Sequence, residues 1–176
     1  MRAKNGNLRT PFAFYESEQI MSKILKIIAM LISLVVMLTG CIIENDDHLK
    51  VFYDALPEAT KLVSVDISSM DIPESVEQVY KDNKGEGYSI MLAFNGYYST
   101  NNRIVVGVSD DYIISGVITV TYSDSVPLTE GYEGNFVGKD LQGVESMDLI
   151  AGVTITSRAY RNAVADAIRT AEILSK

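Results

Sequence analysis

Two strand-like runs near the middle of the chain are joined by a loop too short for anything but a hairpin. Arg103 to Ser109 is rich in β-branched residues, as strands are, and Tyr112 to Tyr122 follows after the tight turn Asp110-Asp111. Parallel neighbours need a crossover of a dozen or more residues, so these two runs must pair antiparallel. A third run, Tyr88 to Asn95, precedes them, and Gly116 inside the last one marks a bulge. Upstream, Leu62 to Ile67 alternates as a strand, Met70 to Glu74 turns around Pro73, and Lys81 to Gly87 has hairpin-loop composition. Val51 to Leu56 has apolar positions on one helical face before Pro57. At the C-terminus Tyr160, Val164, Ala167, Ile168, Ala171 and Leu174 form one stripe at helical spacing. The expected fold class is α+β: an antiparallel sheet with a short N-terminal helix and a C-terminal helix packed on it. The strand order is not set by these patterns.

Composition narrows the function. The chain has 176 residues and a net charge of −8, too acidic for a nucleic-acid footprint. It has one Cys and one His, which cannot build a zinc site or an internal disulfide. A Ser–His–Asp arrangement would rest entirely on His48, in an acidic stretch. No catalytic residue and no metal ligand is assigned.

The N-terminal part is read as a targeting segment. Lys23 and Lys26 form a positive start, Ile27 to Leu38 an apolar core, and Leu38-Thr39-Gly40-Cys41 a small-residue processing site. This resembles a bacterial lipoprotein signal, with Cys41 as the lipidated, palmitate-bearing first residue of the mature chain. Translation is then expected to start at Met21, with residues 1–20 an upstream artefact and 21–40 the signal peptide. Residues 41–50 are expected as a polar tether and 51–176 as the folded domain. The alternative is an uncleaved anchor, since Ile24 to Ile43 carries only Lys26 as a charge and is long enough to span. Either way Lys-rich flanks stay inside, so the rest faces the extracytoplasmic side of the cell membrane. Loss of residues 1–40 removes five cations and two anions and leaves a net charge of −11.

The candidate site is the stretch Asp148-Leu149-Ile150-Ala151-Gly152-Val153-Thr154-Ile155-Thr156-Ser157, just before the last helix. A helix N-terminus presents unpaired N–H groups and partial positive charge, and it holds anions readily. Gly152 permits a turn or a close approach. Thr154, Thr156 and Ser157 offer hydroxyls, and the plainer expectation is that Thr156 or Ser157 caps the helix. Arg158 and Arg161 in its first turns oppose the helix dipole unless an anion sits there.

The same stretch resembles the flavinylation motif of the FMN-binding domain family, which reads Asp, two variable residues, Ser or Thr, Gly, Ala, then Thr or Ser. Asp148, Gly152 and Thr154 match, while Ala151 and Val153 depart. The family includes the flavinylated subunits of the sodium-pumping NADH:quinone reductase and of the Rnf complex, and lipoproteins of extracellular electron transfer. Further similarity lies in Leu56-Pro57, in the turn Asn95-Gly96-Tyr97-Tyr98 with the valine-rich strand after it, and in Pro127-Leu128. The resemblance implies FMN as cofactor, joined to Thr154 through a phosphoester by a separate flavin transferase. Asp148, Gly152 and Val153 would shape the turn, and N–H groups near Thr156 and Ser157 would hold the phosphate. Gly96 with Tyr97, Tyr98 or Tyr132 would wall the ring, and Gly131 to Phe136 would let a flat ring approach. The implied role is an electron carrier with a membrane donor or acceptor protein as partner, rather than a catalyst with its own substrate. The alternative is a lipoprotein that binds a partner or ligand without flavin.

Overall fold

The computed structural model describes residues 46–125, 127–128 and 130–176. The segment 1–20, the signal 21–40 and Cys41 lie outside the described residues. The elements run α1 (Asp46–Ala55), β1 (Leu62–Ser64), β2 (Val76–Asp82), β3 (Gly87–Phe94), β4 (Asn102–Ser109), β5 (Ile114–Thr121), a 3-10 turn (Tyr132–Phe136), α2 (Leu141–Glu145) and α3 (Thr154–Leu174). The α+β expectation holds. The strands form one antiparallel meander in the order β1-β2-β3-β4-β5.

The sheet is covered on both faces, which explains why β3 and β4 are buried almost throughout. Side chains alternate across a strand. Tyr88, Ile90, Leu92, Ile104, Val106 and Val108 join the cluster containing Tyr160, Val164 and Ile168 of α3. Met91 and Val105 meet Phe52 and Leu56 at the end of α1 on the other face. Facing residues of β4 and β5, Gly107 and Gly116, make room for that end. A Cβ on Gly107 would lie 1.9 Å from the Ala55 carbonyl oxygen, and one on Gly116 would lie 2.6 Å from it. Ser89 Oγ donates to the Phe52 carbonyl at 2.9 Å, a second bond to an oxygen that also accepts from the Leu56 N–H at 3.2 Å.

Several boundaries differ from the sequence expectation. Residues 46–50, expected within the tether, are the first half of α1. Their polarity hid the helix, because Leu49 is the one apolar residue among them to register in a periodic pattern. The strand expected over 62–67 stops at Ser64, although the Val65 N–H still reaches the Val79 carbonyl at 2.9 Å. Lys81 and Asp82, read as loop, end β2. The bulge does fall beside Gly116: Gly107 faces Gly116 while Val108 faces Ile114, leaving Ser115 as the extra residue. The 109–113 turn lacks glycine, and Tyr112 takes the left-handed conformation itself, with φ 61°. Its hydroxyl reaches Ser175 Oγ at 2.6 Å.

Asp82 organises the two loops at one end of the sheet. Its carboxylate accepts from the N–H groups of Thr60 (2.8 Å), Lys61 (3.0 Å), Lys84 (2.8 Å) and Glu86 (3.4 Å). The Lys61 bond is the largest influence on its acidity; burial works against it, and the remaining N–H groups reinforce it, bringing the pKa to about 2. The stabilisation is therefore complete above the unfolded-state value of about 4 and is lost as pH falls through about 2. Asp82→Asn is expected to lower stability at neutral pH and to flatten the decline between about pH 4 and 2, read by urea unfolding across pH. Gly107→Ala is expected to destabilise by about 1–3 kcal/mol through overpacking. Gly134→Ala, with open space at its Cβ position, should change the urea midpoint by less than about 0.5 kcal/mol equivalent. Equal effects of the two substitutions would contradict the close packing of α1 on the sheet.

Candidate functional site

The segment before α3 is tied onto the helix it introduces. Gly152 has φ 84°, a left-handed turn that favours glycine. Nothing lies within 4 Å of its Cβ position, so the residue is required for the turn and not for close approach. The Ile150 N–H donates to Ser157 Oγ at 3.2 Å, and the Ile150 carbonyl accepts from Val153 N–H at 3.2 Å and from Thr154 Oγ1 at 3.4 Å. Arg161 donates to the Met147 carbonyl at 2.8 Å. That contact gives one of the two early cations of α3 a structural role; Arg158 is exposed.

The expectation of a Thr156 or Ser157 cap is corrected. Val153 is the N-cap and makes no side-chain cap bond. The first ladder bond runs from Ser157 N–H to the Val153 carbonyl at 2.9 Å. The N–H groups of Thr154, Ile155 and Thr156 therefore stand ahead of the ladder, where an anion is favoured. Ser157 is fully buried and its N–H is committed to the helix, so it does not serve as an anion holder. Thr154 is exposed at the first helical position.

Across from this turn lies the Asn95–Ser99 loop between β3 and β4. Gly96 N–H donates to the Ser99 carbonyl at 2.7 Å. Tyr97 and Tyr98 are 61% and 71% exposed, and their rings meet edge to face with centroids 4.4 Å apart. Such exposure of two adjacent aromatics leaves flat faces available for stacking. Asp124, just beyond β5, joins the two sides. Its carboxylate accepts from Tyr98 N–H (2.8 Å), Tyr97 N–H (3.1 Å) and Thr156 Oγ1 (2.5 Å). Thr156 Oγ1 in turn accepts from Tyr97 N–H at 3.1 Å. Burial pushes the Asp124 carboxyl up, but bonds from Thr156, Tyr98, Tyr97 and Ser99 outweigh it and hold the group below the ordinary carboxylate range.

Together Tyr97, Tyr98, Asp124, Gly152, Val153, Thr154, Ile155 and Thr156 line a pocket of about 320 Å³. Of the residues expected at the site, Tyr97, Tyr98, Gly152, Val153, Thr154 and Thr156 are brought together here, and Gly96 supports the aromatic wall from behind. Asp148 is not part of the lining. Tyr132 is a correction: it is 4% exposed, with its ring against Phe136 and Tyr160 in the core. The Gly131–Phe136 segment, expected to admit a flat ring, contains the 3-10 turn that carries this packing. Asp124 joins the site without having been expected there, and Ile155, within the candidate stretch but given no role of its own, lines it too. No local motif marks Asp124, because the groups it binds lie 26 to 32 residues away in sequence.

The arrangement suits a flat, phosphorylated cofactor. Three N–H groups ahead of the helix ladder and an exposed hydroxyl sit at one wall, and two exposed aromatic rings sit at the other. Among the described residues no group of His, Cys, Asp and Glu forms a metal site. A search of curated proteins finds no match to the chain. A family model does match, and it begins at the aromatic wall and runs through the helix that carries Thr154. Residues 97–169 match the model of the FMN-binding domain, and FMN is the cofactor of that domain.

Proposed function

We propose that the chain is a lipid-anchored flavoprotein that carries FMN covalently on Thr154 and relays electrons at the extracytoplasmic face of the cell membrane. The observation that carries this reading is the Thr154 hydroxyl, exposed at the opening of α3 inside the pocket. FMN supplies one- and two-electron chemistry when bound. The chain supplies position. Thr154 gives up only a long 3.4 Å contact to the Ile150 carbonyl when its oxygen is esterified. The N–H groups of Thr154, Ile155 and Thr156 favour the phosphate charge, and the Tyr97–Tyr98 pair offers a stacking face. Ala151 and Val153 leave the acceptor oxygen untouched. A flavin-free binding module does not accord with the family match.

The anchor rests on the signal-like residues 21–40 and on Cys41. Among the described residues no helix is long and apolar enough to cross a membrane. A covalent bond suits a carrier facing the outside, since a dissociated flavin would be lost to the medium. The partners on this reading are a flavin transferase and a membrane protein that gives or takes electrons.

Full-length chain co-expressed with a flavin transferase should give a fluorescent band on a denaturing gel, and Thr154→Ala should give a dark one. A band that stays fluorescent in Thr154→Ala would contradict attachment at that oxygen. Intact mass of the protein from membranes should correspond to a chain beginning at a lipidated Cys41. A chain that retains residues 21–40 would overturn the lipoprotein reading in favour of an uncleaved anchor.

A further inference from the structure

Asp124 is built into the pocket wall more tightly than a loop residue needs to be. A Cβ on Gly96 would lie 1.8 Å from its Oδ2, so the carboxylate is seated directly on the backbone of the aromatic turn. Both oxygens are used: Oδ1 takes the Tyr98 N–H, and Oδ2 takes the Tyr97 N–H and the Thr156 hydroxyl. Three segments that are remote in sequence therefore meet at one side chain. These donors are all neutral, and no Lys or Arg pairs with Asp124 among the described residues. Its negative charge is held in place and left without a counter-ion there.

We propose that Asp124 is a positioning residue for the flavin: it locks the Tyr97–Tyr98 wall to the first turn of α3, and its fixed charge lowers the reduction potential of FMN held in the pocket. The proposal rests on the flavin-carrier reading above. An asparagine in its place would offer one acceptor oxygen for three donors, so the carboxylate is the side chain that closes the lock. Hydrogen bonds from neutral donors to a charged acceptor are stronger than those between neutral groups, and several together hold an exposed turn. The charge acts by ordinary electrostatics. At neutral pH, two-electron reduction of a flavin takes up two electrons and one proton and leaves net negative charge on the ring system. A carboxylate in the same pocket wall opposes that charge and favours the oxidised form. The lowered pKa of Asp124 keeps it ionised throughout the neutral range.

Two readouts on the full chain in detergent test this. The first uses flavin-free Thr154→Ala protein, with and without Asp124→Asn, and follows amide hydrogen exchange at Tyr97 and Tyr98. Exchange at Tyr97 is expected to accelerate roughly tenfold or more on loss of the charged acceptor. Unchanged exchange would overturn the lock. The second measures the potential of the flavin-loaded chain by dithionite titration against a reference dye, where dithionite supplies the electrons and solvent the proton. The potential is expected to rise in Asp124→Asn, and an unchanged or lower value would overturn the charge effect. Thr156→Val removes a partner of the carboxylate but keeps its charge. It should therefore speed exchange at Tyr97 without raising the potential, and a rise equal to that of Asp124→Asn would overturn the charge effect in favour of a purely structural role. A chain that never acquires flavin would contradict the flavin-carrier reading and the charge effect with it, leaving the exchange arm to decide the lock alone.

Discussion

Tyr160 is completely buried and touches three rings: Phe94 from the sheet, and Tyr132 and Phe136 from the 3-10 turn. Its hydroxyl lies 3.0 Å from Thr119 Oγ1, which donates to Glu133 at 2.8 Å, so the phenol proton is the one available for the Tyr160–Thr119 bond. Burial pushes the phenol far above its ordinary pKa, and it remains a neutral donor. Losing such a ring costs about 3–5 kcal/mol in a well-packed core. That contact pins α3 across the sheet. Thr154 lies six residues before it, about 9 Å along the helix axis at 1.5 Å per residue. The position of the Thr154 hydroxyl follows from a packing contact that is not itself at the pocket.

The two ends of the meander use one device for different purposes. At the β2–β3 end, Asp82 gathers loop N–H groups, and the structure gains rigidity there. At the opposite end, where β3 stops, β4 starts and β5 stops, Asp124 gathers the N–H groups of an aromatic turn and the hydroxyl of a helix. A loop that must present exposed aromatic rings has few apolar contacts to hold it. Charge-assisted hydrogen bonds to the backbone hold it without covering the rings.

The parts of the fold legible in sequence are those whose signal is periodic or local. The buried stripe of α3, the β-branched run of β4 and the glycine turn before Thr154 each declare themselves within short windows. What is hidden depends on pairing at a distance. β2 alternates only weakly because much of it is exposed, and α1 begins in polar residues. Gly107 and Gly116 read as strand weaknesses until Ala55 is seen against them. At the site, Tyr97, Gly152, Val153, Thr154 and Thr156 are legible from the motif and the Gly-Tyr turn. Tyr132 misleads, because a tyrosine beside glycines has the same local look whether it faces a ligand or the core. Asp124 is the clearest omission: its partners are gathered by strand order, which local patterns do not encode.

We propose above that the FMN-binding domain carries its cofactor on one particular oxygen at the mouth of α3. Tandem mass spectrometry of the tryptic peptide ending at Arg158, from protein made in flavinylating cells, addresses that claim directly. The expected result is a peptide bearing the FMN phosphoryl group on Thr154, with Thr156 and Ser157 unmodified because both residues are buried. An unmodified peptide, or a modification at Thr156 or Ser157, would contradict it.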